Sequence, residues 1–316
     1  MGTKDTVAKK FWSDNAKFAD LINANVFDGR QVVHPEDLQP EDPVELAVLS
    51  KLEKLTTSQK VRDILRSCQI RRGKGSYFVL IGIENQSDIH YAMPVRNMLY
   101  DALNYLAQVD AKAKEHKLAK DSLTQGEYLS GFAKGDRIIP VVTLTVYWGA
   151  DAWDGPRRLS DMYADVDPEI VRMAGDYEIN LISPAEVKDF AKYSTELGEL
   201  LELIKHSDDQ EEMIRFLSGK GDGWELDRDS LIMANEFADT RFSVEQGGER
   251  VRVARAFAQQ AEESHAKGVY DTLYHLVEKN KISVSEAAEE AGVSEDVFTA
   301  NMLASGYKIP DMQLTT

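Results

Sequence analysis

The sequence predicts an α/β protein in which a mixed sheet is flanked by helices and followed by a helical C-terminal extension. Apolar runs typical of strands occur at residues 77–86 and 138–148, and stretches with helical spacing lie before and after them. Beyond residue 184 the pattern becomes helical and acidic. Strands and helices in this order are typical of a sheet covered by helices.

The first helix is predicted near the N-terminus, where Phe18, Leu21 and Ile22 share one apolar face. Ser13 or Asp14 is suited to cap its first turn, because a short polar side chain there can accept a backbone hydrogen bond. An acidic linker that contains three prolines follows, and it separates this helix from the predicted sheet.

Two strands are predicted next, one over residues 61–65 and one over residues 77–86, joined by a turn that contains glycines. Side chains alternate between the faces of a strand, so Glu84 and Gln86 point the same way. Asp63 lies in the first strand and can meet Glu84 across the sheet.

These acidic residues predict a cation site. A carboxylate at the edge of a core costs several kcal/mol unless it meets a cation or hydrogen-bond donors. Asp63 and Glu84 together would suit Mg²⁺, which prefers oxygen ligands, with Mn²⁺ or Ca²⁺ as substitutes. Two alternatives remain: Glu84 and Gln86 lie past the strand end in solvent, and Asp63 forms a surface ion pair with Arg62 or Arg66.

A second helix is predicted to begin at Met93 and Pro94, since proline suits a first helical turn. Arg96 and Tyr100 are four residues apart and share one part of its surface. They would reach a phosphate or hold Glu84 in place, or else serve only in packing, with His90 nearby as a loop residue. The apolar residues at helical spacing predict the packing face: Val95, Met98, Leu99, Ala102, Leu103 and Leu106.

The order of an aspartate, a glycine-containing linker, an apolar strand ending in ENQS and then HYAMPVRNMLYDALNY resembles the recombination-promoting nuclease family, also called YhgA-like transposases. The resemblance runs from about Asp14 to about Pro184. It implies a PD-(D/E)XK restriction-endonuclease-like core, Mg²⁺-dependent cleavage of DNA, and roles in recombination, mobile elements or phage defence in bacteria.

The resemblance also implies site residues. Asp63, Glu84 and Gln86 would be catalytic, and Asp63 and Glu84 would bind the metal together with Asn85. An acidic group on the first helix assists the metal in many such nucleases, which makes Asp20 a candidate. Asp20 is nevertheless expected to be exposed to solvent, the usual state of acidic residues on helix surfaces.

Gln86 is the main departure from the superfamily pattern, because a lysine usually stands at this position. A lysine orients the attacking water and offsets developing negative charge, whereas glutamine positions a water without supplying charge. Lys60 or Lys74 is predicted to supply the cation from another strand or loop.

Net charge argues against a DNA substrate, since 37 Lys plus Arg against 54 Asp plus Glu give −17. Positive charge is nevertheless local, because residues 60–74 contain six basic residues and one acidic residue. A solvated basic face is the alternative. The residues predicted to contact DNA are Arg62, Arg66, Arg71, Arg72 and Arg96.

Composition predicts a cytoplasmic protein. The single cysteine, Cys68, excludes an internal disulfide and is consistent with a reducing compartment. The N-terminus lacks the apolar segment of a signal peptide, and the longest apolar stretch is shorter than the roughly 20 residues of a spanning helix, so no membrane association is expected.

Three regions are predicted: a nuclease-like domain at residues 1–190, a helical support at 191–245 and a helical region at 246–316. Leu197, Leu200, Leu201 and Ile204 form the core stripe of the support. In the last region a capping box at Ser283, a stop at Gly292 and a cap at Ser294 predict two short helices joined by a glycine turn.

Such a helix pair is typical of DNA-binding helix-turn-helix motifs. Residues 281–308, however, hold two lysines against five acidic residues, which disfavours DNA binding. This region is therefore predicted to form a homodimer or to bind a protein partner.

Together the sequence predicts a DNA endonuclease that hydrolyses phosphodiesters by direct attack of a metal-activated water. Two alternatives remain open: a nuclease fold that has lost catalysis and serves as a binding or assembly module, and a nuclease that cleaves RNA.

Overall fold

A computed structural model describes residues 3–41, 64–72, 75–244 and 248–310, with the side chains of Arg72 and of residues 260–266 excepted. The chain divides into two compact units, Met1–Val251 and Arg252–Thr316, and each is described by itself.

The first unit contains a five-stranded sheet with the strands in chain order. The first three strands along the chain are antiparallel neighbours, whereas the third, fourth and fifth run parallel. The predicted mixed sheet is therefore confirmed. The strands are β1 (Leu38–Pro40), β2 (Ile64–Arg72), β3 (Gly75–Gln86), β4 (Val141–Tyr147) and β5 (Asn180–Ile182).

Helices cover this sheet and fill the rest of the unit, and two short strands, β6 (Glu225–Asp227) and β7 (Arg250–Arg252), pair apart from it. No helix in the described ranges is both long enough and apolar enough to cross a membrane. The helices are α1 (Thr3–Phe11), α2 (Asn15–Val26), α3 (Met93–Ala119), α4 (Gln125–Ser130), α5 (Pro168–Ala174), α6 (Glu196–Lys205), α7 (Gln210–Lys220) and α8 (Arg228–Ala238).

The main core lies between one face of the sheet and helices α1, α2, α6 and α8. Asp14 caps α2 by accepting from the Ala16 amide, and the predicted face of Phe18, Leu21 and Ile22 is buried. The predicted stripe on α6 is also confirmed, because all four of its aliphatic residues are buried in the same core.

Asp20 is buried, so the expectation that it is solvated is wrong. Its carboxylate accepts from the backbone amides and hydroxyls of Ser194 and Thr195, at distances between 2.6 and 3.0 Å. These donors lie at the start of α6, where the first helical amides have no partner within the helix. Asp20 therefore fastens α6 to α2 and does not point toward Glu84's side of the sheet.

Helix α3 lies with its polar side inward, so the predicted packing face is wrong. Leu99 is 46 % exposed and Leu106 is 45 % exposed, whereas Leu103 is buried. The other members of the predicted face, Val95, Met98 and Ala102, are exposed as well. The side of α3 that is buried carries Met93, Pro94, Asn97, Tyr100, Asp101, Leu103 and Asn104.

The described part of the second unit contains three helices, α9 (Val253–Glu278), α10 (Val284–Glu290) and α11 (Glu295–Ala304). The capping box at Ser283 and the cap at Ser294 are confirmed, and Gly292 follows α10 with a φ of +68°. A separate apolar core joins the three helices around Tyr274, Val277 and Phe298.

Candidate active site

Glu84 and Gln86 lie on the face of β3 that α3 covers, at the carboxyl end of the strand. Glu84 has 0 % of its surface exposed and Gln86 has 8 %. The parallel register places Glu84 beside Thr145 and Gln86 beside Tyr147 of β4. The alternative that these side chains lie in solvent past the strand end is therefore wrong, and the predicted sharing of one face is confirmed.

Arg96 supplies the countercharge to Glu84. Its Nη2 lies 3.0 Å from Glu84 Oε2, and its Nε donates to the Tyr100 hydroxyl at 3.1 Å. The guanidinium carbon also lies 5.7 Å from the centre of the Tyr100 ring. A buried carboxylate with such a partner is held in one place, because breaking the pair would leave an uncompensated charge.

Further polar groups continue this layer between α3 and β4. Asn97 donates from Nδ2 to the Thr145 hydroxyl at 2.8 Å. Asp101 accepts from the hydroxyls of Thr143 and Tyr177, each at 2.6 Å. The buried side of α3 therefore matches a polar stretch of the sheet, which explains why its apolar residues face outward.

Asn85 points to the opposite face of β3 from Glu84. Its Oδ1 accepts from the indole Nε1 of Trp12 at 2.9 Å and from that of Trp148 at 3.0 Å. These bonds occupy the carboxamide oxygen inside the main core, so the Asn85 side chain does not fit its predicted role as a metal ligand beside Glu84. Asn85 instead fixes the two tryptophans against the strand.

A cleft of about 420 Å³ opens at the end of β3. Gln86 and the half-buried His90 and Arg96 line it from the strand and the segment after it. Lys4 lines it from α1, with Nζ 2.7 Å from the Ser87 hydroxyl. Sequence reasoning missed Lys4, because no local pattern connects an exposed lysine on the first helix to a strand 83 residues away.

Two of the predicted DNA-binding arginines lie away from this cleft. Arg66 is on the opposite face of the sheet from Glu84, where its Nη2 donates to the Trp12 carbonyl at 3.3 Å and burial lowers the pKa of its guanidinium. Arg71 pairs with Asp37 at 3.3 Å, about 23 Å along β2 from Ile64. Arg62 and the Arg72 side chain lie outside the described part of the protein.

Asp63, Lys60 and Lys74 lie outside the described residues as well. The described part of β2 begins at Ile64, which is the register partner of Ile83, the residue before Glu84.

Some side chains on the Glu84 face carry oxygen atoms that could bind a hard cation such as Mg²⁺. Within the described ranges no cluster of three or more His, Cys, Asp or Glu side chains is placed to hold a metal. Glu84 and Gln86 nevertheless offer side-chain oxygens, and Asn97 Oδ1 is buried with no hydrogen-bond partner in the described structure. Carboxylate and carboxamide oxygens are ligands that Mg²⁺ accepts along with several waters.

No protein-family model, curated protein or solved structure gives a significant match to this chain. The resemblance drawn from the ENQS and MPVR motifs therefore has no support from relatives.

Proposed function

We propose that this protein is a metal-dependent DNA endonuclease with a PD-(D/E)XK-like core. The observation that carries the proposal is the complete burial of Glu84 at the end of β3, beside Gln86 on the same face and next to a cleft lined by Arg96 and Lys4. A carboxylate is costly to bury, so a buried carboxylate two residues from a side chain that lines a cleft favours a role in chemistry.

Glu84, Asp63 and the Asn97 oxygen would hold the metal in this proposal. When bound, Mg²⁺ would lower the pKa of a coordinated water and offset charge on the phosphate. Gln86 orients the attacking water, and Arg96 keeps Glu84 in position through the ion pair. The attacking water loses a proton to solvent and its oxygen forms a new bond to phosphorus, while the bond to the leaving sugar oxygen breaks and that oxygen takes a proton from solvent.

The cleft suits a phosphodiester better than the net charge of −17 suggests. Lys4 and Arg96 line the cleft together with Asp5 and Asp88, so the lining does not share the negative balance of the whole chain at the place where the backbone of a nucleic acid would enter. The negative field of the rest of the chain would weaken nonspecific binding and confine DNA to this cleft. Work in recombination, mobile elements or phage defence is proposed from the resemblance alone.

The second unit is proposed to bind another copy of the chain or a protein partner. Its described helices carry more acidic than basic residues between residues 281 and 308, which disfavours DNA as their partner.

Plasmid nicking and linearisation test the proposed activity, with purified protein in Mg²⁺, Mn²⁺ or EDTA. We expect metal-dependent cleavage that is lost in Glu84→Gln and Asp63→Asn proteins that remain folded, because both changes keep the shape of the side chain and remove its charge. Glu115→Gln, on the exposed end of α3, removes the same charge away from the cleft and is expected to cleave normally.

A noncatalytic binding module is the second candidate, and the Glu84–Arg96 pair favours it because Arg96 already neutralises the buried carboxylate. DNA binding without cleavage in any metal would support that module, and cleavage of RNA alone would redirect the proposal to RNA. Cleavage that persists in both active-site variants would contradict the proposed site.

A further inference from the structure

We propose that Lys4 on α1 binds the phosphate at the Gln86 end of the cleft and stabilises the charge that develops there during cleavage. The proposal rests on the proposed endonuclease function. It assigns to the first helix the positive charge that Gln86 itself does not carry.

Lys4 reaches the end of β3 directly. Its Nζ lies 2.7 Å from the hydroxyl of Ser87, the residue that follows Gln86, and both residues line the cleft with Arg96. The ammonium group also lies over the Phe237 ring, whose centre is 5.6 Å away. The cleft therefore has a cation at its outer end, one residue beyond the strand that carries Glu84.

The charge of Lys4 is not neutralised by a direct carboxylate contact. Among the described residues Lys4 forms no ion pair, whereas Arg96 is committed to Glu84. Three acidic groups in this region have contacts of their own, although the charge of Lys4 adds to the effect of Arg241 in lowering the pKa of Asp239. Asp5 pairs with Lys9 at 3.1 Å, Asp88 accepts from the Ser87 hydroxyl at 3.0 Å, and Asp239 pairs with Arg241 at 3.0 Å.

Helix α1 holds Lys4 at this place. Ala8 and Phe11 on the same helix are buried in the main core, and Lys10 forms an ion pair with Asp229 of α8 at 2.7 Å. The C-terminal half of α1 is therefore anchored at several points, and Lys4 projects from the first turn of this anchored helix. A cation on a rigid element loses little freedom when a phosphate arrives, so its field acts on the reaction without reorganisation.

The chemistry that this position suits is phosphoryl transfer. In such reactions catalysis is mainly positioning and stabilisation of charge on the nonbridging and leaving oxygens. A lysine at the cleft would act as a point charge on the phosphate, and arginine can replace it in charge. We therefore expect the loss of Lys4 to lower the rate of cleavage more than the affinity for DNA.

The test compares the wild type with Lys4→Met, Lys4→Arg and Lys114→Met. Lys114 lies on the exposed surface of α3, so its replacement removes the same charge away from the cleft. Two quantities are measured: the single-turnover rate with saturating protein and Mg²⁺, and the dissociation constant of a short DNA duplex at several salt concentrations in EDTA. Thermal unfolding checks that each variant is folded.

We expect Lys4→Met to lower the maximal rate about 100-fold, the size of effect typical of one lost charge-stabilising group. Its affinity for DNA should fall only a few-fold, and the slope of log affinity against log salt should decrease by about 0.9, as for one lost phosphate contact. Lys4→Arg should recover most of the rate, and Lys114→Met should behave as the wild type does.

Failure of this inference differs from failure of the proposed function. A folded Lys4→Met protein with the rate and salt slope of the wild type, beside an inactive Glu84→Gln protein, would overturn the role of Lys4 alone. If the wild type binds DNA without cleaving it, an unchanged salt slope in Lys4→Met overturns the phosphate contact. A wild type that neither binds nor cleaves DNA overturns both proposals.

Discussion

Arg96 Nη2 lies 3.0 Å from the Oε2 atom of Glu84, a carboxylate that has no exposed surface. The pair joins the first turn of α3 to the end of β3, the two elements that enclose the candidate site. Its geometry makes Glu84 and Arg96 one unit, in which neither charge can be removed without stranding the other.

Arg96→Met is therefore expected to destabilise the fold by about 3 to 5 kcal/mol, the range found when one partner of a buried pair is removed. Urea unfolding measures this change. The double variant Arg96→Met with Glu84→Gln should recover most of the loss, because no buried charge is then left without a partner. Additive losses in the double variant would show that the two side chains do not act as a pair.

The inward polar side of α3 gives a second prediction. Asn97→Leu removes the donor to Thr145 in a fully buried position, so it should cost about 1 to 3 kcal/mol although leucine is the more apolar residue. Leu99→Ala, two positions along on the exposed side, should cost less than about 1 kcal/mol.

Denaturant midpoints of these two variants decide between the two orientations of the helix. A larger loss for Leu99→Ala than for Asn97→Leu would restore the orientation expected from the sequence, with the apolar residues facing the sheet.

The predictions from the sequence are confirmed where they depend only on local structure. Side chains alternate between the two faces of any strand, so Glu84 and Gln86 could be placed on one face of β3 from the sequence alone. The caps at Asp14 and Ser283 were equally local, since each side chain accepts from an amide within three residues.

Orientation of α3 could not be predicted in the same way. Helical spacing identifies an apolar stripe, but the side that is buried depends on what the neighbouring element offers. Here β4 offers the hydroxyls of Thr143 and Thr145, and these match Asp101 and Asn97 on the polar side of the helix. The two threonines on the buried face of β4 are the feature of the sequence that could have indicated that the polar side of α3 faces the sheet.

Long-range partners account for the other differences. Asp20 finds its donors 174 and 175 residues later in the chain, and Lys4 meets Ser87 across 83 residues. Neither contact can be predicted from the local sequence pattern. The basic run before β3 likewise looked like one patch, yet Arg66 and Arg71 lie on different parts of the sheet and away from Glu84.

Asp20→Ala gives a third prediction. The change leaves the amides and hydroxyls of Ser194 and Thr195 without their buried acceptor, so we expect a loss of about 3 kcal/mol in the free energy of unfolding. Asp14→Ala removes an exposed helix cap on the same element and should cost only about 1 kcal/mol. Equal losses for the two variants would mean that Asp20 acts only as a surface residue of α2.

A fourth prediction concerns the end of α3, where His116 lies between two carboxylates. Its Nδ1 is 2.7 Å from Asp121 and its Nε2 is 2.7 Å from Asp136. The hydrogen bond to Asp136, and to a smaller extent the one to Asp121, raises the pKa of His116 above its ordinary 6.5. The hydrogen bond with His116 is also the main cause that lowers the pKa of Asp136 below its ordinary 3.8.

The signs of these two shifts define a pH window. A raised histidine pKa adds stability that is complete below pH 6.5 and is lost as pH rises through the value in the folded protein. A lowered aspartate pKa adds stability that is present above pH 3.8 and is lost as pH falls through its folded value. The free energy of unfolding of the wild type should therefore exceed that of His116→Gln most clearly between pH 3.8 and pH 6.5.

Unfolding of both proteins in urea across this range measures the difference, and an NMR titration of the His116 ring reports its pKa directly. We expect the difference to shrink as pH rises above the titration of His116, because the neutral ring no longer attracts either carboxylate. A stability difference between the two proteins that grows with pH, or a His116 ring that titrates below 6.5, would contradict the stabilising role of the His116 bonds to Asp121 and Asp136. Asp121→Asn should lower the pKa of His116 less than Asp136→Asn does, since the bond to Asp136 is the larger cause of the shift.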